Sequence, residues 1–184
     1  MAPRVAVIGI GNTLMGDDGF GPAVVRRLME ECGADAGERA SSAPQTVLVG
    51  AWAPDVQLVV GEVAGMALLP WFRRCRHVVV VDAIDAGAEP GAIFRFDADE
   101  AGIAQLRSAS LHGLGVPHLV ANARLTGASP QVVVLAVQVQ DVRPRPDALS
   151  PEVAAAVEPV RLLVLEELRS LGAGTPQPGA APGQ

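Results

Sequence analysis

Short apolar runs alternate along this chain with stretches whose apolar residues recur at helical spacing. Val5-Ala6-Val7-Ile8 is continuous and predicts a strand over about residues 4–9. After a glycine-rich stretch, Pro22-Ala23-Val24-Val25-Arg26-Arg27-Leu28-Met29 predicts a helix from Phe20 to Cys32, with Gly33 as its stop. Residues 34–55 are rich in Ala, Ser, Gly and Pro. Within them Thr46-Val47-Leu48-Val49 reads either as part of a long loop or as an extra edge strand. Val56–Val60 predicts the second sheet strand and Gly61–Gly65 a loop at its end. Met66–Arg74 reads as a brief or bent helix around Pro70, with Leu68, Leu69 and Phe72 inward.

His77 to Asp85 contains the longest β-branched run, Val78–Val81, and predicts a central parallel strand buried on both faces, with Asp82 closing it. Glu89-Pro90-Gly91 predicts a turn. Ala92–Phe96 alternates and follows too closely for a crossover helix, so it predicts an antiparallel strand at the sheet edge. Asp97–Arg107 leaves room for a helical turn or two, and Ser108–Val116 leads into a helix reaching about Arg124. Gln131–Val137 is the last strand. Ser150-Pro151-Glu152 has the chemistry of a helix start, a capping Ser with Pro at the first position and an acid in the first turn. Val153, Val157, Val160, Val164 and Leu168 form the apolar stripe of that last helix, with Pro159 as an expected kink. The alternation predicts an α/β fold in three layers: a twisted, mostly parallel sheet of about five strands, one of them antiparallel, with helices on both faces. It forms one domain over residues 1–171, followed by a Gly/Pro/Ala tail at 172–184 expected to be disordered.

Composition narrows the chemistry. The net charge of −6 disfavours nucleic-acid partners, and only 3% of residues are aromatic, so Val, Leu, Ala and Ile must fill the core. All 14 basic residues are Arg. That removes the phosphate-binding Gly-Lys-Ser/Thr loop and any lysine Schiff base. Cys32 and Cys75 are far apart and predict two reduced packing thiols. With no secretory leader and no apolar run of membrane length, a cytoplasmic protein is expected.

The stretch Gly9 to Gly21 crosses from the first strand to the first helix, where open α/β sheets bind ligands. It frames two acids, Asp17 and Asp18, with glycines, which suits a cation better than a phosphate. The topology brings three groups to that rim: Asp18 or Asp17, Asp82, and His112. Two carboxylates and an imidazole suit a divalent transition metal such as zinc, nickel, iron or manganese. Glu62 is a possible neighbour and His118 a possible support. His77 reads as structural, and Asp85 and Asp141 as solvent or turn acids. The dinucleotide fingerprint fails at Leu14, and neither a Gly-x-Ser-x-Gly elbow nor a His-Glu-x-x-His helix occurs.

Ordered motifs then carry a resemblance. They are Gly9-x-Gly11-Asn12-x-Leu14-x-Gly16-Asp17-Asp18-Gly19-x-Gly21, Ala64-Gly65-Met66 with Leu68-Leu69, and Val81-Asp82-Ala83 with Pro90-Gly91. Ser110-Leu111-His112-Gly113-Leu114, Leu149–Val153 and Glu158-Pro159 complete the set. Over about residues 4–170 the chain resembles the NiFe-hydrogenase maturation endopeptidases, which trim the C-terminal extension of the hydrogenase large subunit. The resemblance implies a hydrolase of aspartyl-type or metal-dependent chemistry acting on a nickel-loaded precursor. Its metal-contacting positions fall on Asp18, Asp82 and His112. The nickel is then substrate-borne, and Asp18 and Asp82 are the candidates for catalysis. The partner implied is the precursor large subunit, with neither nucleic acid nor membrane. One departure stands out: many members show Asp-Gly-Gly-Thr where this chain has Val60-Gly61-Glu62-Val63. A non-enzymatic nickel-sensing scaffold is the alternative function, and a small-molecule hydrolase or nucleotide binder with a degenerate loop a third.

Overall fold

The computed structural model describes residues 4–33, 48–98 and 115–173. Its strands are β1 (Val5–Ile10), β2 (Leu48–Ala53), β3 (Val56–Glu62), β4 (His77–Ile84), β5 (Ile93–Asp97) and β6 (Gln131–Gln138). Its helices are α1 (Phe20–Glu31), α2 (Leu69–Arg74), α3 (Val116–Leu125) and α4 (Pro151–Ser170). All the strands belong to one sheet, in the order β2-β3-β1-β4-β6-β5. The four inner strands run parallel, while β2 and β5 close the two edges antiparallel. The sheet thus has one strand more than expected. The ambiguous apolar piece at 46–49 contributes its last two residues to edge strand β2, and residues 34–47 lie outside those described.

Strand periodicity sorts the core into two halves. From β1, Val5 and Val7 pack with Phe20, Val24 and Leu28 of α1 and with Val153, Val160 and Val164 of α4. Ala6, Ile8 and Ile10 point the other way, toward Leu68, Phe72 of α2 and Leu119 and Val120 of α3. Strand β4 follows the same alternation: Val79, Val81 and Ala83 serve the first layer, Val78, Val80 and Ile84 the second. Every residue of β4 is buried. Its sequence is apolar without alternation because both faces are covered.

Three local expectations change. Asp82 does not close its strand; β4 continues to Ile84, so the carboxylate is set into the sheet. The 66–74 segment splits into a 3-10 turn (Gly65–Leu68) and α2, and Pro70 sits in the first turn of α2, where its missing N–H is harmless. Helix α4 runs unbroken through Pro159, and Ala156 takes the buried position expected of the half-buried Val157. No helix among the described residues is long and apolar enough to cross a membrane. The expected tail lies outside the described residues from 174 onward.

Candidate active site at the carboxyl edge of β1 and β4

The chain lays β3 on one side of β1 and then crosses to lay β4 on the other. That reversal opens a crevice at the carboxyl ends of β1 and β4, the usual ligand position in such sheets. The stretch after β1 fills it. Gly11 has φ +142°, and a Cβ there would collide with the carbonyl oxygen of Asp18. At Gly21 a Cβ would strike the backbone oxygens of both Ile10 and Val81. These two positions let the loop fold onto the seam between the strands. Its 3-10 turn, Gly16–Gly19, carries Asp17 and Asp18, both buried, onto the edge where Asp82 lies.

The two adjacent acids have different work. Asp17 is 1% exposed. Its Oδ2 accepts the backbone N–H groups of Gln140 and Asp141, each at 2.8 Å, and the hydroxyl of Ser150 at 2.9 Å. Its Oδ1 accepts the Ser150 N–H at 2.6 Å. In return the Asp17 N–H donates to the Asp141 carbonyl at 2.9 Å. Asp17 is therefore a latch between the acid loop and the segment entering α4. This consumes the expected cap: Ser150 occupies the N-cap position, but its hydroxyl goes to Asp17 and not to the helix. Nothing in the sequence marked this pairing, because the partners are 133 positions apart.

Asp18, by contrast, accepts the Asn12 N–H through Oδ2 at 3.0 Å, within its own loop. Asn12 in turn accepts the Leu14 N–H at 3.0 Å, so the loop orders its own acid. Asp82 is 2% exposed, accepts the Ala83 N–H at 2.8 Å, and shares the parity of β4 residues facing α2 and α3. Buried carboxylates on one edge can hold a cation or pass protons to and from a water.

The remaining candidates separate. His112 lies outside the described residues, and among those described no group of three or more His, Cys, Asp or Glu is placed to hold a metal ion. His118 is on α3, half-buried. His77 opens β4 at the far end of the strand from Asp82; burial and the nearby Arg76 and Arg4 lower its pKa. Asp85 accepts from Gly87 N–H and the Gln138 side chain, a turn role. Asp141 forms a local fork with Arg143, whose hydrogen bonds push its carboxyl well below the usual range. Glu62 is bound to Arg26 of α1 at 2.8 Å and has a left-handed backbone, φ +39°.

Cys32 and Cys75 are free and buried, away from this edge. Burial pushes the Cys75 thiol from 9.0 up to about 11. A thiol so reluctant to ionise is a poor nucleophile. The chain has no Tyr and its basic residues are all Arg, so no phenol or lysine amine titrates alongside Cys75 in that alkaline window. The unfolded chain loses this proton first. Stability should therefore hold below about pH 9 and fall as pH climbs toward about 11. Urea midpoints across that range test it, and Cys75→Ala should flatten most of the decline.

Comparisons with known proteins agree on one family. The model of the hydrogenase maturation protease family matches residues 48–167. The hydrogenase expression/formation protein HoxM of Cupriavidus necator is 31% identical over 96% of this chain and 79% of its own length. The hydrogenase 2 maturation protease of Escherichia coli is 28% identical over 92% of this chain and 93% of its own. Among solved structures, the maturating endopeptidase HybD of E. coli superposes with a TM-score of 0.74. It is 26% identical over 95% of this chain and 98% of that one.

Proposed function

The chain belongs to the hydrogenase maturation protease family, and from that premise we propose that its substrate is the precursor of a NiFe-hydrogenase large subunit, cut to release a C-terminal extension. The observation that carries this reading is the pair of buried acids, Asp18 and Asp82, held at the carboxyl edge of neighbouring parallel strands. In this reading the nickel arrives with the substrate. Asp18 and Asp82 meet it as hard oxygen donors, with His112 as the nitrogen donor. A precursor without nickel then presents nothing for the acids to grip, so the cut follows metal loading.

The residues supply the rest. The Asn12 N–H holds the Asp18 carboxylate in place, and the Ala83 N–H does the same for Asp82. A carboxylate left beside the scissile carbonyl can take a proton from an attacking water and return it to the leaving amine. Processing of nickel-loaded and nickel-free precursor by the purified protein tests this reading. The loaded form should be shortened and the nickel-free form left intact, and His112→Ala should abolish the difference by abolishing cleavage. Equal cleavage of both forms would reject metal sensing. Tight binding of the loaded precursor without any shortening would favour a scaffold instead.

A further inference from the structure

Beside the acid rim lies an open cleft of about 460 Å³ between residues 62–68 and the start of α3, lined by Ile10, Glu62, Val63, Met66, Leu68 and Leu119. It borders the loop that carries the acids, because Ile10 lines it, ends β1 immediately before Gly11 and is in register with Glu62. Val63 and Met66 stand 46% and 41% exposed at its mouth. Large apolar side chains left open beside a reaction edge mark a place where something apolar is received. The space suits one or two side chains and is too small for the face of a helix.

The cleft wall is held by an unusual device. Glu62 has the left-handed backbone that a residue with a side chain rarely adopts. Its carbonyl accepts the Gly11 N–H at 3.2 Å, and its carboxylate accepts from Arg26 at 2.8 Å. An ion pair this exposed adds little stability. Placed on a strained residue at the cleft, it fixes geometry.

We propose that this cleft is the subsite for an apolar side chain of the precursor next to the bond to be cut, and that the Arg26–Glu62 pair is the positioning device that keeps its wall in place. The inference rests on the reading that the precursor is cut at the acid rim. An endopeptidase must hold its chain on at least one side of the cut bond, and among the described residues this cleft is an apolar recess bordering the acid loop. An acidic side chain would lose its hydration there and face the Glu62 carboxylate.

The test uses the full-length protein, the nickel-loaded precursor and synthetic peptides spanning the cut junction. Ala67→Trp, which fills the cleft from an exposed position, should raise KM roughly tenfold with kcat nearly unchanged. Arg26→Gln should also raise KM, and Glu62→Gln, which keeps an acceptor for Arg26, should recover most of the loss seen in Glu62→Ala. The Met66 methyl resonance should shift on adding a peptide with Leu beside the cut bond and stay put when Asp replaces that Leu. An unchanged KM in Ala67→Trp, a still Met66 methyl with the Leu peptide, or a shift that follows protein concentration alone would overturn the proposal. The last result would assign the cleft to a second copy of the chain. Because the methyl readout needs no cleavage, the subsite and the acid-rim reading can fail separately.

Discussion

Asp17→Asn is expected to lower the stability of the folded chain by about 3–5 kcal/mol, far more than the same change at its neighbour Asp18. The carboxylate of Asp17 accepts from three backbone N–H groups and one hydroxyl. An amide offers one oxygen, and its NH2 would face N–H donors that it cannot satisfy. Each buried donor left without an acceptor costs about 1–3 kcal/mol, and donors to a charged group sit at the upper end. The Ser150 hydroxyl can turn elsewhere; the backbone N–H groups cannot. Urea denaturation measures the effect, and a change below about 1 kcal/mol would show that the latch is not structural. Any loss of processing in this variant should track the unfolded fraction and recover on cooling.

Asp18→Asn and Asp82→Asn should behave in the opposite way, with processing of nickel-loaded precursor lowered at least about 100-fold while cooperative unfolding persists. The amide keeps the size of the side chain and one oxygen for the Asn12 or Ala83 N–H. What it loses is the negative charge and the basic oxygen, which proton transfer requires and which strengthen a metal contact. Removing even an outer partner of a metal ligand costs about 10–100-fold, so on the proposed reading of these acids as donors the loss should exceed that. Single-turnover cleavage, with circular dichroism to confirm the fold, is the measurement. Wild-type rates in either variant would reject its role.

The contrast between neighbouring acids marks where sequence reasoning stops. Strand β4 was legible because Val78–Val81 is apolar on both faces and only a central strand needs that. The antiparallel β5 was legible from its closeness to β4 and its alternation. The rim was legible because glycines at 11 and 21 are required where backbone meets backbone. Asp17 and Asp18 are the same residue side by side; the resemblance singles out Asp18, but the structural role of Asp17 comes only from the distant Gln140, Asp141 and Ser150. Glu62 is expected only as a possible neighbour of the site, yet its partner Arg26 is on another element and its backbone conformation has no signature in composition. Strand β2 was ambiguous because pairing with β3, more than its own pattern, makes it a strand.

The bond between Asp17 and Ser150 also orders events during synthesis. The acid loop is translated 133 positions ahead of the hydroxyl and amide that fasten it, which belong to the start of α4. Contacts so remote in sequence form late. A nascent chain halted before residue 150 should therefore carry its acids on an unfastened loop and cut nothing, so proteolytic competence arrives only once the start of α4 has been made.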